Sequence, residues 1–536
     1  MTEPAPNPAN GVADPHLMVA FDSPFVPKWL ETRLVESPPA GVSLFREWNV
    51  HSPDQTAELI ASLQRLNTDV HPLLVAIDQE GGQLLGLTGS TPFAGNMAVG
   101  AAGDTDLAYR VANAMGTELA AVGINVNYAP AVDVATEPSN PSLGVRSFGD
   151  VAQSVAALGA ATVRGLEDSG VRSSVKHYPG KGEAVVDPHY ALPILDMDRA
   201  RLDEVELPPI RNALEAGAQL VMVGHYVVPA LTGSDELPIS VSAQGIDGFL
   251  REELGFEGLV VTDALDMGAL NQGESQVIDV IAMMNAGVDL LLCMPDMVLQ
   301  QRVRKAVELG VSRGLIASST LEKSKSRINT IRSELTVSEP DPSVVANSEH
   351  LRLADELAAH SVTLVRDDTH LLPLEPSNER RILCFEPEPS DVTPADTTSR
   401  YAPAMAASIR RLHPRVDEII YPQRPGRDDI AAAVSRAHEA DLVIVGTVVA
   451  GVEQGALVDS LLATGTPVIT VALRTPFDLA AYPSAGTHIC TYSGHVPSMT
   501  AMASAVFGKR SFVGRLPAAV PGLYQTGHGL TPDADT

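Results

Sequence analysis

Three side chains in this sequence have the types and spacing needed to break a bond by nucleophilic attack with acid assistance. Asp263 closes the apolar run LVVTD, so its carboxylate projects from a rigid strand end into a pocket, where it suits a nucleophile. The competing role, capping the helix after that strand, falls better to Asp266. Asp187 and His189 stand two apart in VVDPHY. In extended chain they lie on one side, so the carboxylate hydrogen-bonds one imidazole nitrogen and raises the basicity of the other. That makes an acid/base dyad, although Asp-x-His alone describes a metal-ligand pair or a surface pair equally well.

Further polar residues follow other apolar runs at matching places: Asp78-Gln79-Glu80-Gly81-Gly82, Asp133 and Arg146, Lys176-His177, and His225. Any one of them could cap a helix or satisfy a buried backbone group; their recurrence argues for one shared pocket. Arg146 and Lys176 suit donors to sugar hydroxyls or an acylamino group, with Asp78 accepting from two hydroxyls at once. Arg146 has a competing role as the ion-pair partner of Asp133 or Asp150. His177, His189, His225 and Asp263 could together ligate zinc. Against this, there is no His-Glu-x-x-His and no clustered cysteine, and Lys176 sets a fixed cation beside His177. No metal and no cofactor are expected.

The elements that must position these groups are short Val/Ile/Leu-rich runs alternating with amphipathic segments from about residue 16 to 310, the pattern of repeated βα units. The runs are 16–21, 41–45, 73–78, 124–130, 172–177, 220–225, 258–263 and 288–294. Eight suit a (β/α)₈ barrel, whose strand C-termini carry active-site side chains. In the segment 104–123, Leu107, Val111, Met115 and Leu119 recur every four residues and Gly123 follows the last turn, as in a helix of the outer ring. The first connection, PKWLETRLVESPPAG, is short and Pro-broken, so a full first helix is not expected there. The segment 176–193, with its glycines and basic residues, predicts a mobile loop after strand five.

The barrel is assigned to 1–332. A polar, Pro-containing stretch at 333–350 predicts a linker. From 351 to 536, strand-like runs at 362–367, 381–387, 441–447, 467–473 and 488–493 alternate with Ala-rich helices, predicting an α/β sandwich domain.

Composition bounds the partners. With 37 basic against 66 acidic residues, the net charge of −29 repels phosphate backbones and anionic lipid, so neither nucleic acid nor a membrane surface is expected. Cys293, Cys384 and Cys490 are scattered beside apolar runs and suggest buried free thiols. The opening MTEPAPNPANGVADPH lacks basic and apolar signal regions, and no apolar run reaches a membrane span, so a cytoplasmic location is expected.

The ordered series IDQEGG, GNMAVGAAGDTDLAYRVANAMGTELAAVGINVNYAPAVDV, GVRSFGD, KHYPGKG…DPH, VMVGHYVVPAL and LREELGFEGLVVTDALDMGAL closely resembles glycoside hydrolase family 3. The likeness continues through LADELAAHSVTLVRDDTHLLPL and VGRLPAAVPGLYQTGHGL. Within the family the chain is similar to the β-N-acetylglucosaminidase branch, which carries its acid/base as Asp-x-His in the barrel loop; β-glucosidase relatives take a glutamate from the second domain. The resemblance implies a retaining, exo-acting enzyme with Asp263 as nucleophile and Asp187-His189 as the acid/base dyad. It places sugar contacts on Asp78, Arg146, Lys176, His177 and Met267, to which the strand-end His225 is added. The implied substrate is a small N-acetylglucosaminide such as a cell-wall fragment, handled by a monomer or homodimer. A phosphorylase using phosphate as acceptor, a bifunctional β-glucosidase and an inactive sugar-binding sensor stand as alternatives. Two departures bear on the pocket edge. Gly180-Lys181-Gly182-Glu183 replaces the common Gly-His-Gly-Asp, and QLLGL follows IDQEGG. Lys181 thus either favours an anionic substrate or is a solvated surface lysine.

Overall fold

The computed structural model describes residues 11–270, 272–375 and 379–531. The first ten residues, part of the stretch bearing on a targeting signal, lie outside these. Each of the eight apolar runs forms a strand: β1 Leu17–Val19, β2 Gly41–Ser43, β3 Leu74–Ile77, β4 Val126–Asn127, β5 Arg172–Tyr178, β6 Leu220–Val223, β7 Leu259–Thr262 and β8 Leu291–Cys293. They pair in parallel in the order β8-β1-β2-β3-β4-β5-β6-β7. A parallel bridge between Val261 and Leu290 joins the two ends of that order, giving a nearly closed barrel. Strands covered on both faces need continuous rather than alternating apolar residues, and β3, β6 and β7 are buried at every position. Each fully buried Val, Leu or Ile contributes about 1.5–3 kcal/mol relative to exposure.

The ring of helices follows from the same periodicity. The helix Thr105–Ala121 buries Leu107, Val111, Met115 and Leu119, is capped by Asp104, and turns away at Gly123 with φ +90°. The first connection departs from expectation, since Lys28–Glu36 is a nine-residue helix. Its prolines do not break it: Pro27 occupies the N-cap, and Pro38 and Pro39 lie past the last turn, the two places where a helix tolerates proline.

The polar stretch at 333–350 does not hang free. The amide of Asp341 donates to the carbonyl of Ala121, and Glu118 Oε1 takes both the Ala346 amide and His350 Nδ1. Beyond it stand β9 Thr363–Asp367, β10 Ile382–Pro387, β11 Val416–Tyr421, β12 Leu442–Thr447, β13 Val468–Ala472 and β14 Thr487–Cys490. Their order is β9-β14-β13-β12-β10-β11, with only β9 antiparallel. The sequence pattern misses β11 because it is an edge strand with Asp417 and Glu418 exposed, so it carries no continuous apolar run. The three cysteines are buried free thiols. Among the described residues no helix is long and apolar enough to cross a membrane.

The C-terminal tail locks against the barrel. Asp150 accepts from the Ala519 amide and the Thr526 hydroxyl. Gly100, in the helix Asn96–Ala102, packs so closely that an added Cβ would lie 1.7 Å from the Phe148 carbonyl oxygen and 3.1 Å from Pro517. Gly100→Ala is therefore expected to destabilise the protein by about 1–3 kcal/mol through overpacking, read as a lower urea midpoint. An unchanged midpoint would show that the two layers separate freely.

Candidate active site

A cavity of about 360 Å³ opens at the C-terminal ends of the barrel strands. It is lined by Asp78, Arg146, Lys176, His177, His189 and Asp263 of the expected set, together with Trp48, Lys181 and the second-domain segment Pro394–Thr397. Burial at the end of β7 opposes the charged form of Asp263. The imidazoles of His177, His225 and His189 and the ammonium of Lys181 outweigh that effect and bring its carboxyl down to about 2. One carboxylate oxygen also accepts from the Ala264 amide at 2.9 Å. Neither Asp263 nor Asp266 caps the following helix, Gln276–Asn285, whose N-cap position is Ser275.

Asp187 and His189 meet as their spacing suggests, with Nδ1 2.6 Å from Asp187 Oδ1, which also accepts the His189 amide at 3.0 Å. Burial works against the charge on Asp187, but the hydrogen bonds from His189 more than offset it and hold the carboxyl below its usual range. The His189 side chain keeps 27% exposure where Asp187 keeps 7%, so the ring edge bearing Nε2 reaches solvent while its partner stays fixed.

The segment expected to be mobile is packed over its first half. A Cβ on Gly182 would lie 1.9 Å from the Val134 carbonyl oxygen, and one on Gly180 2.7 Å from the Glu206 side chain. Lys181 between them is buried, at 1% exposure, which corrects the surface-lysine expectation. The second half exposes Val185, Val186 and Tyr190. Its far end is seated on the turn after β7, where Gly268 and Ala269 amides donate to the carbonyls of His189 and Pro188.

The remaining polar residues form a buried network. Arg146 gives Nε and Nη2 to the two oxygens of Glu80 at 2.9 and 2.8 Å, and Nη1 to the Ser142 carbonyl. Its partner is thus neither Asp133, which takes His177 Nδ1 at 2.8 Å, nor Asp150, which belongs to the tail contact. Lys176 Nζ lies 2.5 Å from Asp78 and 2.6 Å from Glu80. Burial opposes charge on Glu80, and Arg146 and Lys176 together hold it well below the usual carboxylate range. Burial, with Lys181 and Arg146 close by, pulls His177 well below its ordinary value; its Nδ1 lies 2.8 Å from Asp133 and its Nε2 3.4 Å from Arg146 Nη2.

Two expected contacts do not reach the cavity lining. His225 is fully buried, its Nδ1 2.8 Å from the Ser240 hydroxyl, and burial lowers its imidazole below the ordinary value. Met267, 3% exposed, instead forms the turn after β7, its carbonyl accepting from Gln272. Glu80 and Trp48 are the residues sequence reasoning left without a role. Glu80 stands in IDQEGG two residues after the assigned Asp78, and its burial among cations was the missing signal. Among the described residues no group of three or more His, Cys, Asp or Glu is arranged to hold a metal ion.

With this geometry in hand, comparison with known proteins is direct. Residues 27–331 match the family model for the glycosyl hydrolase family 3 N terminal domain. Beta-hexosaminidase A of Pseudoalteromonas piscicida is 31% identical over 90% of this chain and 89% of its own. A beta-N-acetylglucosaminidase/beta-glucosidase of Cellulomonas fimi is 28% identical over 86% of each. Among solved structures, a glycoside hydrolase family 3 beta-N-acetylglucosaminidase from Paenibacillus sp. str. FPU-7 superposes with a TM-score of 0.89 at 32% identity, covering 95% of this chain and 98% of that one.

Removing Glu80 leaves Arg146 and Lys176 buried without their common carboxylate. Glu80→Ala is expected to cost about 3–5 kcal/mol of stability, with Glu80→Gln intermediate, measured by chemical denaturation. A loss under about 1 kcal/mol would mean that water replaces the carboxylate at little cost.

Proposed function

The chain belongs to glycosyl hydrolase family 3 and is a glycoside hydrolase, and from that premise we propose a retaining, exo-acting β-N-acetylglucosaminidase with Asp263 as nucleophile and the Asp187-His189 dyad as acid/base. The activity follows from what the Pseudoalteromonas and Paenibacillus relatives act on by name. The observation that carries the catalytic assignment is the 2.6 Å contact between His189 Nδ1 and Asp187, made in the cavity that Asp263 lines. A glutamate from the second domain has no counterpart there. That domain contributes Pro394–Thr397 to the lining, and its one acid, Asp396, is taken by Arg474 at 2.6 Å.

In this mechanism Asp263 attacks the anomeric carbon while protonated His189 gives the proton on Nε2 to the departing glycosidic oxygen. The bond to the leaving group breaks and an ester forms between the sugar and Asp263. Water then attacks the same carbon as neutral His189 Nε2 takes its proton, and Asp263 departs as a carboxylate. Asp187 keeps the hydrogen on Nδ1 in both steps and stabilises the imidazolium, so the ring exchanges its proton only at Nε2.

Asp263→Asn is expected to abolish turnover of nitrophenyl N-acetyl-β-glucosaminides. His189→Ala is expected to lose about 10²–10⁴-fold on substrates with poor leaving groups, yet retain most activity on dinitrophenyl glycosides, which need little protonation. Equal loss across the leaving-group series would remove the histidine from this role. A pH series tests the nucleophile separately. A carboxyl depressed to about 2 stays charged as pH falls until near that value, so kcat/KM carries no acidic limb from Asp263 between pH 3 and 5. A limb near 4 that Asp187→Asn and His189→Ala leave in place would contradict the assignment.

A further inference from the structure

The cavity's cations are not equivalent. All three Arg146 nitrogens are engaged by Glu80 and the Ser142 carbonyl, Lys176 is shared between Asp78 and Glu80, and Arg46 is turned to the Leu85 carbonyl and the Tyr401 hydroxyl. Lys181 differs. Its backbone is pinned, with the amide donating to Asp133 Oδ1 at 2.8 Å and the carbonyl accepting from Asn140 Nδ2 at 2.8 Å. Its side chain is buried in the cavity wall, yet Nζ forms no hydrogen bond or ion pair with any described residue. Three donors on one ammonium are thus left for something that enters the cavity.

The surroundings define that ligand. Asp133, Asp187 and Asp263 all act on Lys181 electrostatically without pairing with it. Asp133 already binds His177, Asp187 binds His189, and Asp263 must stay free to attack. An anion seated on Lys181 would face all three carboxylates, so the complement is a neutral oxygen. Sugar hydroxyls donate as well as accept and are served by Asp78; an amide carbonyl only accepts and needs a donor such as this one. Lys181 shares its field with Asp263 and with the dyad, the groups proposed to bracket the anomeric carbon, and a 2-acylamino group places its carbonyl oxygen next to that carbon.

We infer that Lys181 is a specificity-determining residue whose ammonium binds the carbonyl oxygen of the substrate's 2-acylamino group, and this rests on the N-acetylglucosaminidase reading above. Burial and the nearby Arg146 bring its amine down to about 8, so the donor is charged at neutral pH and is lost as pH rises through that value.

The test compares wild type, Lys181→Met and Lys181→Arg on nitrophenyl N-acetyl-β-glucosaminide and nitrophenyl β-glucoside, with melting curves to confirm folding. The ratio of the two kcat/KM values is expected to fall at least about tenfold in Lys181→Met, as for a lost polar contact in a buried site, and to recover in part in Lys181→Arg. A measurement needing no variant is calorimetric binding of free N-acetylglucosamine and glucose to wild type at pH 7 and pH 9. Affinity for the former is expected to drop about fivefold or more as the amine deprotonates, without a matching drop for glucose. An unmoved ratio in a folded variant, or parallel pH losses for both sugars, overturns the role of Lys181 alone. A wild type with no N-acetylglucosaminidase activity overturns the proposed function with it.

Discussion

The top of the barrel depends on one buried carboxylate. Glu80 lies between the guanidinium of Arg146 and the ammonium of Lys176, all three nearly without solvent contact. Charges so placed are tolerable only as a set, since each alone would be costly to desolvate. The set therefore ties together three loops that the strands leave apart: the hairpin Gln79–Gly81/Leu84–Leu85 after β3, the turn Gly144–Arg146 after β4, and the end of β5. The other side of the same hairpin receives the second domain. Gln83 bonds Ala395 and Thr397, and the Gly82 carbonyl lies 2.7 Å from His495 Nε2. One short hairpin thus fixes both the floor of the cavity and the wall that the second domain supplies.

His189, the proposed proton donor, and Asp263, the proposed nucleophile, are coupled by backbone rather than by side chains. The turn that follows Asp263 carries Gly268, whose amide holds the carbonyl of His189, and a Cβ there would lie 2.8 Å from the Tyr190 carbonyl oxygen. The close approach is available only to glycine. Any shift of the β7 turn is transmitted to the dyad, and any opening of the loop breaks the two hydrogen bonds donated by the turn's amides. A reaction that needs a carboxylate on one side of a bond and an acid on the other benefits from such a link, because a misplacement of about 1 Å in either group costs catalysis steeply.

Much of this was legible in the residues. Apolar runs marked most of the barrel strands because strands covered on both faces have no polar register to confuse the pattern, whereas β5, RSSVKHY, is legible only from its place in the repeat. The Asp187-His189 contact followed from a spacing of two, and the position of Asp263 in the cavity lining from its place at a strand end. The failures have equally specific causes. The helix Lys28–Glu36 was hidden by prolines that sit at its ends, and β11 by its exposed edge. His225 and Met267 follow the right strands but point behind the cavity, a direction that strand-end position does not encode. Lys181 resembles any loop lysine until Gly180 and Gly182 are seen to press it inward; steric closeness of backbone to backbone has no signature in residue type beyond the glycines themselves.

Charge pairing also explains how a protein with a net charge of −29 can hold a cluster of cations in the barrel-end cavity without acting as a general anion trap. Arg146 and Lys176 are each matched to a carboxylate at hydrogen-bond distance, and the unpaired Lys181 is faced by Asp133, Asp187 and Asp263, so the cationic fields are offset within the cavity and the strongly negative exterior dominates beyond. What remains inside is a lining of oriented donors and acceptors in which both signs of charge are present, and that suits an uncharged, hydroxyl-rich ligand better than an ionic one. Asp263 differs from these paired groups: among the described residues no cation lies at bonding distance from it, and the imidazoles and the ammonium nearby offset its burial without touching it. A charge stabilised by its surroundings at a distance keeps its lone pairs available, and that separates a nucleophile from a structural ion pair.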